Sequence, residues 1–175
     1  MIGKASVFLV GPMGSGKTAV GRHLARALRL PFHDSDSEIE RRTGVDISFI
    51  FEKEGEAGFR QREREAIEAL TALEGIVLAT GGGAVVLPEN RRLLSERGCV
   101  VYLHTSVAQQ AARVRHGRHR PLIANADPAT RLGHLMDARA PLYGEIADIV
   151  VPTDGRRVNS VAEQVLRELA AARRR

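Results

Sequence analysis

Short apolar runs alternate with longer amphipathic ones from one end of the chain to the other. The runs at 6–10, 31–33, 76–79, 100–103 and 149–151 are brief and apolar on successive positions, which predicts buried strands. Between them, helical periodicity predicts helices over 17–29, 35–43, 47–54, 56–73, 88–97, 106–115, 128–143 and 160–172. Ser35 with Glu38 makes a capping-box pattern, and Gly98 stands where a helix ends and a left-handed residue is wanted. Alternation of this kind implies right-handed crossovers and a parallel sheet covered by helices on both faces. Ligands of such sheets sit beyond the C-terminal strand ends, and the chain's unusual residues come just after the first three strands.

Composition narrows the picture only a little. At 175 residues the chain is expected to form one domain, 1–175, with one continuous core. No apolar stretch is long enough to span a bilayer, and the N-terminus lacks a signal-peptide pattern, so no membrane partner is expected. Cys99 is the lone cysteine and lies in an apolar run; it excludes an internal disulfide and fits a reducing compartment, so the expected location is cytoplasmic. A net charge of +5 could suggest nucleic acid, but the arginines are dispersed and aromatics are only 4%. Basic pockets for small anions account for the charge without nucleic acid, and a monomer is expected.

The sharpest local signal is Gly11-Pro12-Met13-Gly14-Ser15-Gly16-Lys17-Thr18, which has the spacing G-x-x-x-x-G-K-[ST] between a strand and a helix. Its glycines let backbone N–H groups curl around a polyanion, and the next helix turns its positive end to the same anion. Lys17 can reach the β- and γ-phosphates, and the Thr18 hydroxyl can bind Mg²⁺. These features point to a nucleoside triphosphate.

Other groups gain meaning beside that loop. Asp34 and Asp36 come after the second strand, where phosphoryl transfer needs one acid for Mg²⁺ and another for the acceptor's proton; Asp34 could equally cap a helix. Gly81-Gly82-Gly83 after the third strand implies close approach of a substrate group or a neighbouring helix. An anionic acceptor needs arginine forks, and Arg60, Arg120 and Arg139 stand out by their surroundings, although spacing does not choose among the many arginines. The basic, Gly- and Pro-interrupted stretch from Arg113 onward reads either as a lid over phosphates or as a solvated loop.

The ordered set resembles the shikimate kinase family. It comprises the phosphate loop, Asp34-Ser35-Asp36, Gly55-Glu56 with Phe59-Arg60 and Glu63, the triple glycine, Arg120-Pro121-Leu122 and Arg139-Ala140-Pro141-Leu142-Tyr143. The resemblance implies a three-layer α/β/α phosphate-loop fold like that of nucleoside-monophosphate kinases. It further implies a five-stranded parallel sheet of order 2-3-1-4-5, a substrate-binding segment at about 34–63 and a lid at about 113–127. The implied activity is ATP-dependent phosphorylation of the shikimate 3-hydroxyl, on the route to chorismate and the aromatic amino acids.

By the same resemblance, Gly14, Ser15, Gly16, Lys17, Thr18 and Ala19 would wrap the ATP phosphates, with Thr18 on Mg²⁺ and Asp34 holding a metal-bound water. Asp36 would be the base on the 3-hydroxyl. Arg60 and Arg139 would clamp the carboxylate, Glu63 would support Arg60, and Gly82 and Gly83 would bring N–H groups to the ring substituents. Arg120 would reach the phosphates from the lid, and Arg113 would lie over the adenine. The stretch Arg157-Val158-Asn159-Ser160 departs from the Asn-Pro turn of some relatives, which leaves base contacts open. Competing readings are a gluconate or nucleotide kinase, and a GTPase-like switch; the absence of an Asn-Lys-x-Asp signature counts against the last.

Overall fold

The computed structural model describes residues 6–114 and 127–174. Its elements run β1 (Val7–Val10), α1 (Lys17–Leu28), β2 (Phe32–Asp34), α2 (Ser35–Thr43), α3 (Ile47–Thr71), β3 (Val77–Ala79), α4 (Pro88–Arg97), β4 (Cys99–His104), α5 (Val107–Val114), α6 (Pro128–Ile146), β5 (Ile149–Pro152) and α7 (Val158–Ala172). The strands form one parallel sheet in the order β2-β3-β1-β4-β5. Hydrophobic alternation assigns its two faces. Val7 and Leu9 of β1 join the cluster with Leu24 of α1 and Val165 of α7. Phe8 and Val10 join the opposite cluster with Ile67 of α3, Leu94 of α4 and Tyr143 of α6. Each such buried aliphatic or aromatic side chain contributes on the order of 1.5–3 kcal/mol, so the sheet is held from both sides.

Register decides where the site lies. Leu9 is level with Ala79, and Ala79 with Asp34, while Leu9 also faces Val101. The segments leaving the C-terminal ends of β1, β2 and β3 therefore open onto one mouth. Among the described residues, no helix is long and apolar enough to cross a membrane.

The structure corrects two sequence expectations, bears out a helix break and extends one helix end. The cap of α2 is Asp34, not Ser35: the Asp34 Oδ1 accepts from the N–H groups of Asp36 and Ser37 at 3.0 and 3.1 Å. Glu38 does not reach back to close a box but pairs with Arg41 and Arg42. Gly98 is extended rather than left-handed; a Cβ there would stand 2.6 Å from the Phe8 Cδ2, so packing against the core ring demands the glycine. In α3 the expected break is real, since Gly55 has φ 71 and ψ −175 and splits a nominally continuous helix. The last turn of α6 runs on past Pro141 to Ile146, beyond the expected end at 143.

Candidate active site

The phosphate loop leaves the centre of the sheet and opens α1 with Gly16 as its cap at φ 88. It walls a cavity of about 690 Å³ together with Asp34, Asp36, Gly81, Arg113 and a far side made by Thr153, Arg156, Arg157 and Val158. Gly14, Ser15, Gly16, Lys17, Thr18 and Ala19 all line it. Lys17 is buried, and its ammonium donates to the Gly11 and Pro12 carbonyls at 2.7 and 2.8 Å. Thr18 Oγ1 donates to Asp34 Oδ2 at 3.0 Å. Asp34 caps α2 with one oxygen, as its sequence allowed, and its other oxygen meets the phosphate loop.

The hydroxyl and carboxylate pair Thr18–Asp34 gives hard oxygen donors at the cavity wall, which fits Mg²⁺ sharing its coordination with phosphates and water. Among the described residues no three His, Cys, Asp or Glu side chains gather into a metal cage. Asp36 lies in the first turn of α2, so the two acids are separated by a strand-to-helix junction rather than by strand alternation.

A second, smaller cavity adjoins the first and shares Met13, Asp36, Gly81 and Gly82 with it. Phe51 and Phe59, 4.8 Å apart between ring centroids, give it an apolar side, while Arg60, Glu63 and Arg139 give it charge. Burial selects these two arginines from the many: Arg60 is 7% exposed and Arg139 6%. Arg60 is compensated by Glu63 at 2.8 Å and Glu56 at 3.3 Å. Glu63 is fully buried, and desolvation pushes its carboxyl above the usual range even though Arg60 opposes this. Arg139 forms no carboxylate ion pair among the described residues, and desolvation lowers its pKa.

The triple glycine is explained by its neighbours. A Cβ on Gly81 would stand 2.8 Å from an Asp36 oxygen and 3.0 Å from Glu63 Oε2, and one on Gly83 would stand 2.5 Å from Arg60 Nη1. The groups that approach Gly81 and Gly83 are charged side chains of the site carried by the neighbouring helices α2 and α3, and Gly82 faces the phosphate-loop backbone at Met13. Arg113 donates to the Gly14 carbonyl, at the phosphate end of the cavity, with the 153–158 wall on another side. Arg120, and the expected lid from 115 to 126, lie outside the described residues. Ser35, Tyr143, Thr153 and Arg156 also belong to the site or its frame; Ser35 and Tyr143 fall within motifs the sequence offers but with no such contact announced, and no local pattern singles out Thr153 or Arg156.

The family model for shikimate kinase matches residues 13–170. A shikimate kinase of Shewanella amazonensis is 52% identical over 169 residues, covering 97% of this chain and 99% of the relative. One from Halorhodospira halophila is 56% identical over 163 residues, covering 93% and 92%. The solved structure of a shikimate kinase from Acinetobacter baumannii in complex with shikimate superposes with a TM-score of 0.93 at 46% identity, covering 95% of this chain and 93% of that one. With its phosphate loop, paired acids and buried arginines set as described, the chain belongs to the shikimate kinase family.

Proposed function

We propose that this chain transfers the terminal phosphoryl group of ATP to the 3-hydroxyl of shikimate, giving ADP and shikimate 3-phosphate, with the larger cavity for the nucleotide and the smaller for the acceptor. The observation that carries the assignment of cavities is Arg139. A buried guanidinium that forms no direct carboxylate ion pair among the described residues, and that Glu56 and Glu63 support only at longer range, is costly unless an anion completes it, and the acceptor's carboxylate is such an anion. Arg60, oriented by Glu63, supplies the second fork. The ring then lies against Phe51 and Phe59, and Gly82 and Gly83 offer backbone N–H groups to its substituents.

Asp36, shared by both cavities, takes the proton of the 3-hydroxyl as the oxygen bonds to the terminal phosphorus. The bond from that phosphorus to the bridging oxygen breaks, and ADP leaves with the electron pair. Lys17 and the loop N–H groups from Gly14 to Ala19 hold the phosphates in line. Thr18 and Asp34 would hold Mg²⁺, which would neutralise charge on the β- and γ-phosphates. Arg113, expected over the adenine, stands against the Gly14 carbonyl and adds positive charge at the phosphate end; the same role for Arg120 rests on the resemblance alone, since that residue lies outside the described residues. The enzyme acts as a cytoplasmic monomer on small molecules, without nucleic acid. ADP release measured with shikimate, gluconate, AMP and no acceptor tests the reading: release only with shikimate supports it, and equal or greater release with gluconate or AMP overturns it.

A further inference from the structure

Two hydroxyl side chains without a part in the chemistry above grip the glycine turn from opposite sides. Ser35, completely buried between the two aspartates, accepts a hydrogen bond from the Gly81 N–H at 3.0 Å. Tyr143, buried on α6, donates its hydroxyl proton to the Gly82 carbonyl, and the Arg139 guanidinium lies close enough to act on that hydroxyl electrostatically. The turn has no side chains with which to anchor itself, so what its backbone bonds to decides where it stands. Both bonds are part-buried, and losing either would leave a main-chain group of the turn without its protein partner.

Each anchor also sits on an element that carries a group for the acceptor. Ser35 precedes Asp36 in the first turn of α2, and Tyr143 lies one helical turn after Arg139 on α6. The connection therefore runs from the base, through Ser35, across Gly81 and Gly82, through Tyr143, to the guanidinium. We propose that Ser35 and Tyr143 are positioning residues that fix the span between Asp36 and Arg139, and so select acceptors whose hydroxyl and carboxylate are separated by the width of one ring. Tyr143 is suited to the task because burial keeps its phenol protonated, and the Tyr102 ring 5.1 Å away holds it in place.

The inference rests on the assignment of the smaller cavity to shikimate, and its test separates the two. Tyr143→Phe removes one oxygen and leaves the ring packing, so it should raise the shikimate KM roughly tenfold, with the ATP KM changed less than about twofold. The preference for shikimate over a cyclohexene triol lacking the carboxylate should narrow by a similar factor. Ser35→Ala, which releases the neighbour of the base, should instead lower kcat about tenfold, and Ser35→Thr should recover part of it. Thermal melts of each variant separate lost stability from lost positioning. If both variants melt lower but keep both kinetic constants and the acceptor preference within about twofold, the residues are merely structural and the proposal fails. If ATP and shikimate KM rise together, it also fails. Failure of the unmodified enzyme to use shikimate would instead remove the acceptor assignment itself.

Discussion

The Arg60 guanidinium rests on the backbone of Gly83: a Cβ at that position would stand 2.5 Å from Nη1. Arg60 cannot easily retreat, because Glu63 and Glu56 hold it from the other side. Gly83→Ala should therefore push the guanidinium out of line and weaken shikimate binding by about 1–3 kcal/mol. Calorimetric titration with shikimate measures this, and an affinity within about twofold of the parent would show that the turn yields.

Arg139→Lys keeps the charge and loses the fork. The shikimate KM should rise about tenfold or more, with kcat less affected, because bidentate recognition of a carboxylate is removed. Steady-state kinetics check it; an unchanged KM would take Arg139 out of the carboxylate contact.

Asp36→Asn retains shape in the first turn of α2 but cannot accept a proton. Turnover should fall by about 10²–10⁴ with the circular dichroism spectrum and melting temperature close to the parent's. Asp34 is a poorer probe, since its substitution would disturb a helix cap and a phosphate-loop contact together.

Gly55 holds φ 71 and ψ −175, a backbone region open to glycine and strained for every L side chain. Nothing crowds the position, so the cost of Gly55→Ala is conformational alone. Denaturant unfolding should show a loss of about 1–3 kcal/mol. No measurable loss would mean that the two arms of α3 straighten without penalty.

The exposed face of α2 supplies an acid-sensitive increment. Hydrogen bonds from Arg41, ahead of those from Arg42, hold Glu38 down at about 2 from an ordinary 4.5. A depressed carboxyl stabilises the folded state above the unfolded value and loses that contribution as pH falls from 4.5 toward 2. Arg41 is 71% exposed, so solvent screening leaves only a small part of the apparent gain. Glu38→Gln should unfold slightly more easily than the parent at neutral pH, and the gap in denaturation midpoint should close as pH approaches 2.

The sheet and the phosphate loop are legible in the sequence because their causes are local. Four buried residues, then glycines at fixed spacing, then Lys17 and Thr18, leave little alternative. Local reading fails where distant parts decide. Asp34 and Ser35 are both good caps, and only the true end of β2 hands the role to Asp34 while freeing Ser35 to meet Gly81, 46 residues away. Gly98 has the look of a helix terminator, but Phe8 is what requires it. Arginines are alike in sequence, and only burial distinguishes Arg60 and Arg139 from those on the surface. Tyr143 reaches Gly82 across 61 residues, a bond that no periodicity announces.

The boundary between the two cavities is thin, since Met13, Asp36, Gly81 and Gly82 face both. A chemist could use that thinness: a carboxylated ring tethered to a short polyphosphate mimic would engage both compartments as a single molecule. Joining the halves spares the second one its loss of translational freedom, so the hybrid should inhibit far more strongly than either fragment.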